Sequence, residues 1–293
     1  MKKIKLLFVI LGVILLSGCN ITKDSMEDIE IYTTLYPIKY LINSLYGTNG
    51  TINSIYPSGV DVNDFELSDK KLKEYSKTDL FVFNSLDRDR DIAVKMINEN
   101  KNLKVIDVSM GMTYDNNIEE LWLNPYNYLM MAENTKNGLL EYVSNPYLIS
   151  NTEGTGIEDK YEVLKYDLSR LDADIKESIS LAKYKTVVVD SNLFKYLEKY
   201  NLNVISLDKK NSEYEKNLAN VKYLINNNNV KYIYLKDNET NTDIKNLIKN
   251  TNVSLIKLNT LSILTDEQRN NYDYLTLMTE NLEKLKKQLY NLD

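Results

Sequence analysis

Histidine is absent from all 293 residues. That absence removes Ser-His-Asp triads, Cys-His dyads, imidazole proton shuttles and every imidazole-held metal site. A single cysteine excludes an intrachain disulfide framework and any cysteine-cluster zinc or iron–sulfur centre. Glycine is scarce, with nine residues, and Gly47, Gly50, Gly154 and Gly156 lack the strand–turn–helix setting of a phosphate-cradling loop. Positive charge is also short: 36 Lys+Arg against 42 Asp+Glu give a net charge of -6, which argues against a nucleic-acid partner. No activated nucleophile is in sight, so an enzyme is not expected; paired carboxylates alone would have to do general acid–base work. What is present is an ordinary globular mixture, 43% hydrophobic and 27% charged, long enough for one large or two small domains.

The lone cysteine has a telling position. Lys2, Lys3 and Lys5 precede an apolar stretch from Leu6 to Leu16, too short for a comfortable permanent membrane span. It ends in Leu16-Ser17-Gly18-Cys19, which resembles the lipobox of bacterial lipoproteins. Residues 1–18 are expected to be a removed signal peptide, with Cys19 as the lipid-attachment site and residues 19–28 as a polar tether. The expected location is the outer face of the bacterial cytoplasmic membrane. No later segment approaches 18 consecutive apolar residues.

The remainder alternates short apolar runs with helical patterns, the sign of βαβ units and mostly parallel sheets. Strands are expected near Ile29–Thr34, Thr51–Tyr56, Leu80–Asn84 and Leu103–Val108, with helices near Pro37–Tyr46, Ser68–Tyr75 and Asp89–Asn100. Asn124-Pro125 opens a helix to about Tyr142, Asn as cap and Pro in the first turn. From Ile157 to about Ala182, Tyr161, Leu164, Leu168, Leu171, Ile175, Ile179 and Ala182 recur at helical steps without Pro or Gly, a strut between two arrays. The second array has strands near Thr186–Asp190, Asn203–Leu207, Lys231–Lys236 and Ser254–Leu258, and helices near Leu193–Tyr200, Glu213–Asn227, Asn241–Asn250 and Glu267–Leu289. The expected fold is α/β: two lobes, each with a mostly parallel sheet flanked by helices, joined by one long helix. The lobes are bounded at 29–156 and 184–293, with the linking helix at 157–183. Ligands bind beyond the carboxyl ends of such strands. That rule nominates Ile55–Glu66, Asn84–Arg88, Ser109–Trp122, Asp190–Asn192, Lys236–Asn238 and Asn259–Asp266.

Particular strings carry a family resemblance. Thr33-Thr34-Leu35-Tyr36-Pro37, Pro57-Ser58-Gly59-Val60-Asp61-Val62-Asn63-Asp64-Phe65-Glu66, Lys77 to Asn84, Trp122-Leu123-Asn124-Pro125 and Val189 to Leu197 occur in order across the chain. This ordered set resembles the substrate-binding lipoproteins of zinc/manganese ABC importers, with two α/β lobes and a rigid linking helix. The resemblance implies a lipid-anchored monomer that serves a cognate ABC permease. Carried over position by position, the family's metal ligands fall on Asn63, Glu120, Ser191 and Asn259. No matched position is a histidine, so the resemblance implies a lost or altered metal site and no confident metal cofactor.

Two amides, a hydroxyl and one carboxylate are poor donors for zinc or manganese. Asp61, Asp64, Glu66, Glu119, Asp190, Asp237 and Asp266 offer an oxygen-rich alternative for Ca²⁺ or Mg²⁺, set against their plainer reading as solvated loop acids and caps. Asp64 and Glu66 are alternatively placed to hold their loop through backbone hydrogen bonds. Asp87-Arg88-Asp89-Arg90-Asp91 reads as a solvated helix cap with local ion pairs, or as an anion site. Three functions stay open: a receptor for another small ligand, a metal-independent surface interaction protein such as an adhesin or regulator, and metal transport through an oxygen-rich site.

Overall fold

A computed structural model describes residues 24–236 and 240–291. Cys19, the expected signal peptide at residues 1–18 and Asp237 lie outside the described residues. The first lobe contains β1 (Ile29–Thr33), α1 (Tyr36–Leu45), β2 (Gly50–Ser54), α2 (Asp69–Tyr75), β3 (Leu80–Phe83), α3 (Asp89–Glu99) and β4 (Lys104–Asp107). There follow α4 (Glu120–Leu123), α5 (Pro125–Tyr142), α6 (Pro146–Ile149) and the long α7 (Ile157–Ser180). The second lobe contains β5 (Thr186–Val189), β6 (Asn203–Ser206), α8 (Tyr214–Asn226), β7 (Tyr232–Leu235), α9 (Thr242–Ile248), β8 (Ser254–Lys257), α10 (Asp266–Asn271) and α11 (Tyr274–Tyr290).

Every strand pairing within the two sheets is parallel. The orders are β2-β1-β3-β4 and β6-β5-β7-β8, the same pattern twice. Central strands β3 (LFVF) and β7 (YIYL) are buried throughout, as expected for strands covered on both faces. In each sheet the chain turns from one direction to the other after the second strand. The resulting crevices lie between β1 and β3 and between β5 and β7. The expected α/β architecture is therefore present.

Helix ends follow local chemistry. The Asn124 side chain accepts from the Tyr126 N–H, with Pro125 in the first turn of α5. Helix α7 runs 24 residues, roughly 36 Å at 1.5 Å per residue. Its buried stripe includes Tyr161, Leu164, Leu168, Leu171, Ile175 and Ile179, and it packs on α1, α5 and α11.

Two helix expectations need correction. The stretch Glu267–Leu289 is two helices, because Tyr272 is extended and Asp273 caps a new start by accepting from the Thr276 N–H at 2.7 Å. Leu193–Tyr200 is a 3₁₀ segment over Lys195–Tyr200, because Phe194 takes a left-handed conformation (φ 69°) that cannot begin an α-helix.

One hydrophobic core runs through both lobes. At its centre Trp122 is 1% exposed, Tyr128 stacks on Tyr274 at 4.1 Å between ring centroids, and the Tyr274 hydroxyl donates to the Trp122 carbonyl at 2.6 Å. A second cluster lies under α8 and α9, with Val188, Ile205, Val221, Ile233 and Ile244. No described helix is long and apolar enough to cross a membrane.

Candidate functional site between the lobes

The nominated loops meet at the carboxyl ends of the two sheets. The loop after β2 is held by side chains, not by a ladder. Arg88 donates to the Val62 carbonyl, to the Asn63 carbonyl at 3.1 Å and to the Phe65 carbonyl at 2.7 Å. From the other lobe, Arg269 donates to the Tyr56 carbonyl at 3.3 Å and the Pro57 carbonyl at 3.4 Å, and the Gly59 N–H donates to the Leu264 carbonyl at 2.8 Å.

The run at 87–91 is thus not simply a solvated cap: Arg88 turns inward and Asp89 is 1% exposed. Tyr56 donates its hydroxyl to Asp89 Oδ1 at 2.6 Å. Asp89 Oδ2, Thr34 Oγ1 and Asn84 Nδ2 are buried without a hydrogen-bond partner. Burial pushes the Asp89 carboxyl up to about 6 despite the Tyr56 hydrogen bond that opposes it. Asp64 and Glu66 are exposed, and the loop bonds expected of them are supplied by Asp61 and Arg88.

The residues at the family-matched positions are each engaged within their own segment. Asn63 is exposed, and both its backbone N–H and its Nδ2 donate to Asp61 Oδ1, at 2.8 and 3.0 Å. Glu120 is buried, with Asn116 Nδ2 donating to Oε1 at 2.7 Å and the Asp115 N–H to Oε2 at 3.2 Å. Ser191 Oγ accepts from the Leu193 N–H at 3.4 Å. Asn259 Oδ1 accepts from the Leu261 N–H at 2.9 Å, while buried Asn281 grips the Asn259 backbone from both sides. Phe194 and Leu261 both have positive φ (69° and 60°), so bulky residues hold left-handed backbone beside Ser191 and Asn259.

Of the four matched residues only Asn259 lines the cleft of about 610 Å³ between the lobes, which is bounded by Gly59 and Asp61 from one lobe and by Lys236, Lys257 and Gln268, among others, from the second. Burial holds Lys284 on this wall below the usual lysine range, against the opposing pull of Glu280 and with a smaller push from the Lys257 ammonium. Lys236 forms an ion pair with Glu119 across the lobes. Trp122 Nε1 donates to the Thr260 carbonyl at 2.7 Å, so this tryptophan joins the lobes from within the core. Among the described residues, no group of three or more His, Cys, Asp or Glu is placed to hold a metal ion. The roles of Arg88, Arg269 and Lys236 are missed by motif reading. Only the strand-end rule, which nominated Asn84–Arg88 and Lys236–Asn238, pointed near two of them.

Comparison with known proteins agrees with this architecture. The family model for zinc-uptake complex component A, periplasmic (ZnuA), matches residues 31–288. The zinc-binding lipoprotein AdcA of Streptococcus pneumoniae is 24% identical over 98% of this chain. The chain spans 61% of that relative's length. Among solved structures, the Zn(II)-bound ZnuA-like domain of Streptococcus pneumoniae AdcA superposes with a TM-score of 0.70 at 23% identity, covering 89% of this chain and 99% of that one. The metal-dependent lipoprotein YcdH from Bacillus subtilis gives 0.71 at 21% identity, covering 91% and 100%. With the parallel sheets, the strut helix and the loops at their carboxyl ends in place, the chain belongs to the ZnuA family of substrate-binding proteins.

Proposed function

We propose that this protein is a monomeric receptor, lipid-anchored through Cys19 on the outer face of the bacterial cytoplasmic membrane, that serves an ABC permease through a site altered away from zinc. The supporting observation is the local engagement of the matched side chains. Asn63, Glu120, Ser191 and Asn259 all bond within their own loops. Zinc needs deprotonated or imidazole donors converging on one point. Two neutral amides, a hydroxyl and one carboxylate already accepting two hydrogen bonds do not fit it. The same reasoning weakens transport through an oxygen-rich site.

The cleft favours a receptor over a ligand-free adhesin or regulator. It is not collapsed: lysines, acids, amides and a threonine line it together with Leu258 and Ile263. A small polar organic ligand is the class that suits it.

A gain-of-site experiment tests the assignment. The variant Asn63→His, Glu120→His, Ser191→His, Asn259→Asp supplies three imidazoles and a carboxylate at the matched positions. Stoichiometric zinc and a raised melting temperature are expected in that variant. A well-folded variant with no gain in zinc binding contradicts the assignment of these positions.

A further inference from the structure

Lys236 stands where the candidate site's segments meet. Its side chain pairs with Glu119, the chain neighbour of matched Glu120. Its backbone N–H donates at 2.9 Å to Oδ1 of Asp190, the chain neighbour of matched Ser191. It lines the same cleft as matched Asn259 and as Asp61, which accepts both hydrogen bonds from matched Asn63. It also follows β7 directly, at the crevice where the second sheet changes direction.

We infer that the Lys236 ammonium is a tethered cation that joins the two lobes through Glu119, in place of a diffusible metal ion. The inference deepens the altered-site reading and rests on its assignment of the matched positions. Glu119 is the more enclosed partner, its side chain 8% exposed against 33% for Lys236. A carboxylate so enclosed needs a positive partner, because desolvation disfavours its charge unless that charge is matched. Lysine meets the need with a single charge on a flexible stem and three donors. A divalent ion entering the same place would have to displace the ammonium and then sit beside it, at the cost of close like-charge repulsion. Lobe contact is thereby independent of cargo, and the remaining cleft volume is left for a ligand that is not a metal.

The test is hydrogen exchange of residues 118–123 and 258–264, on the two walls, in the chain without residues 1–19. Lys236→Met, Glu119→Gln, their double and the charge-swapped double Lys236→Glu with Glu119→Lys are compared. Each single substitution is expected to speed exchange roughly tenfold, the cost of about 1.4 kcal/mol when a partly exposed pair is broken. The first double is expected to match either single, and the swap to recover most of the protection. Excess chelator is expected to leave the unaltered chain unchanged. Unaltered exchange in the singles, multiplied effects in the double, or loss of protection on chelation would each overturn the inference. Zinc binding by the unaltered chain would sink both the altered-site reading and the replacement of a metal by the ammonium, whereas singles without effect in a zinc-free chain would sink the inference alone, so the two failures are distinguishable.

Discussion

At the scale of single residues, the most consequential group is Asp89. Its carboxyl is 1% exposed, has one hydroxyl donor and leaves one oxygen unpartnered. Its value is raised from 3.8 to about 6, so the folded chain holds this proton more tightly than the unfolded chain does. The contribution of this group to stability is fully present below the unfolded value and is lost as pH rises through about 6. The shift corresponds to an order of about 3 kcal/mol. Asp89→Asn keeps an acceptor for Tyr56 and removes the charge. Urea unfolding should show the variant more stable than the parent at about pH 7.5, by roughly 1–3 kcal/mol, with the gap closing near pH 4. An equal gap at both pH values contradicts the assignment. The sequence showed Asp89 only as one of five alternating charges. Nothing in that run distinguishes the acid that turns inward from those that stay in water, because the choice is made by Tyr56, distant in the chain.

At the scale of elements, close approach decides the start of the strut. A Cβ on Gly156, at the N-cap of α7, would meet Ser150 Cα at 2.5 Å and the Ile149 carbonyl oxygen at 2.6 Å, both backbone. Gly156→Ala should therefore cost about 2 kcal/mol through overpacking at the start of the strut, read as a lower melting temperature. An unchanged melting temperature would mean that the α6–α7 connection yields. The loop after β2 depends similarly on Arg88, which serves three carbonyls. Arg88→Met should speed hydrogen exchange over residues 62–66 at least about fivefold, given roughly 1 kcal/mol or more per lost charged hydrogen bond. Helices with strong periodicity were legible: the buried positions of α7 stand where the spacing put them. The break at Tyr272–Asp273 was not, because Asp is compatible with a helix interior or a cap until its partner Thr276 is known.

At the scale of the whole molecule, the two-lobed α/β fold was readable from alternation alone, and the strut helix from its uninterrupted stripe. The site was readable only as a set of loops. Which side chains point across the cleft depends on contacts between segments more than 100 residues apart, as Lys236 with Glu119 and Trp122 with Thr260 demonstrate. The shared core and the cross-lobe bonds predict a stiff molecule. Solution scattering should change its radius of gyration by less than about 0.5 Å on adding any verified ligand, and a hinge closure of several ångströms would contradict that expectation.

The most direct measurement is elemental analysis of the purified chain without residues 1–19, paired with melting curves in zinc. An altered site predicts no stoichiometric zinc and no shift. One zinc ion per chain, with the stabilisation of about 2.7 kcal/mol that binding gives at one hundred times the dissociation constant, would contradict it.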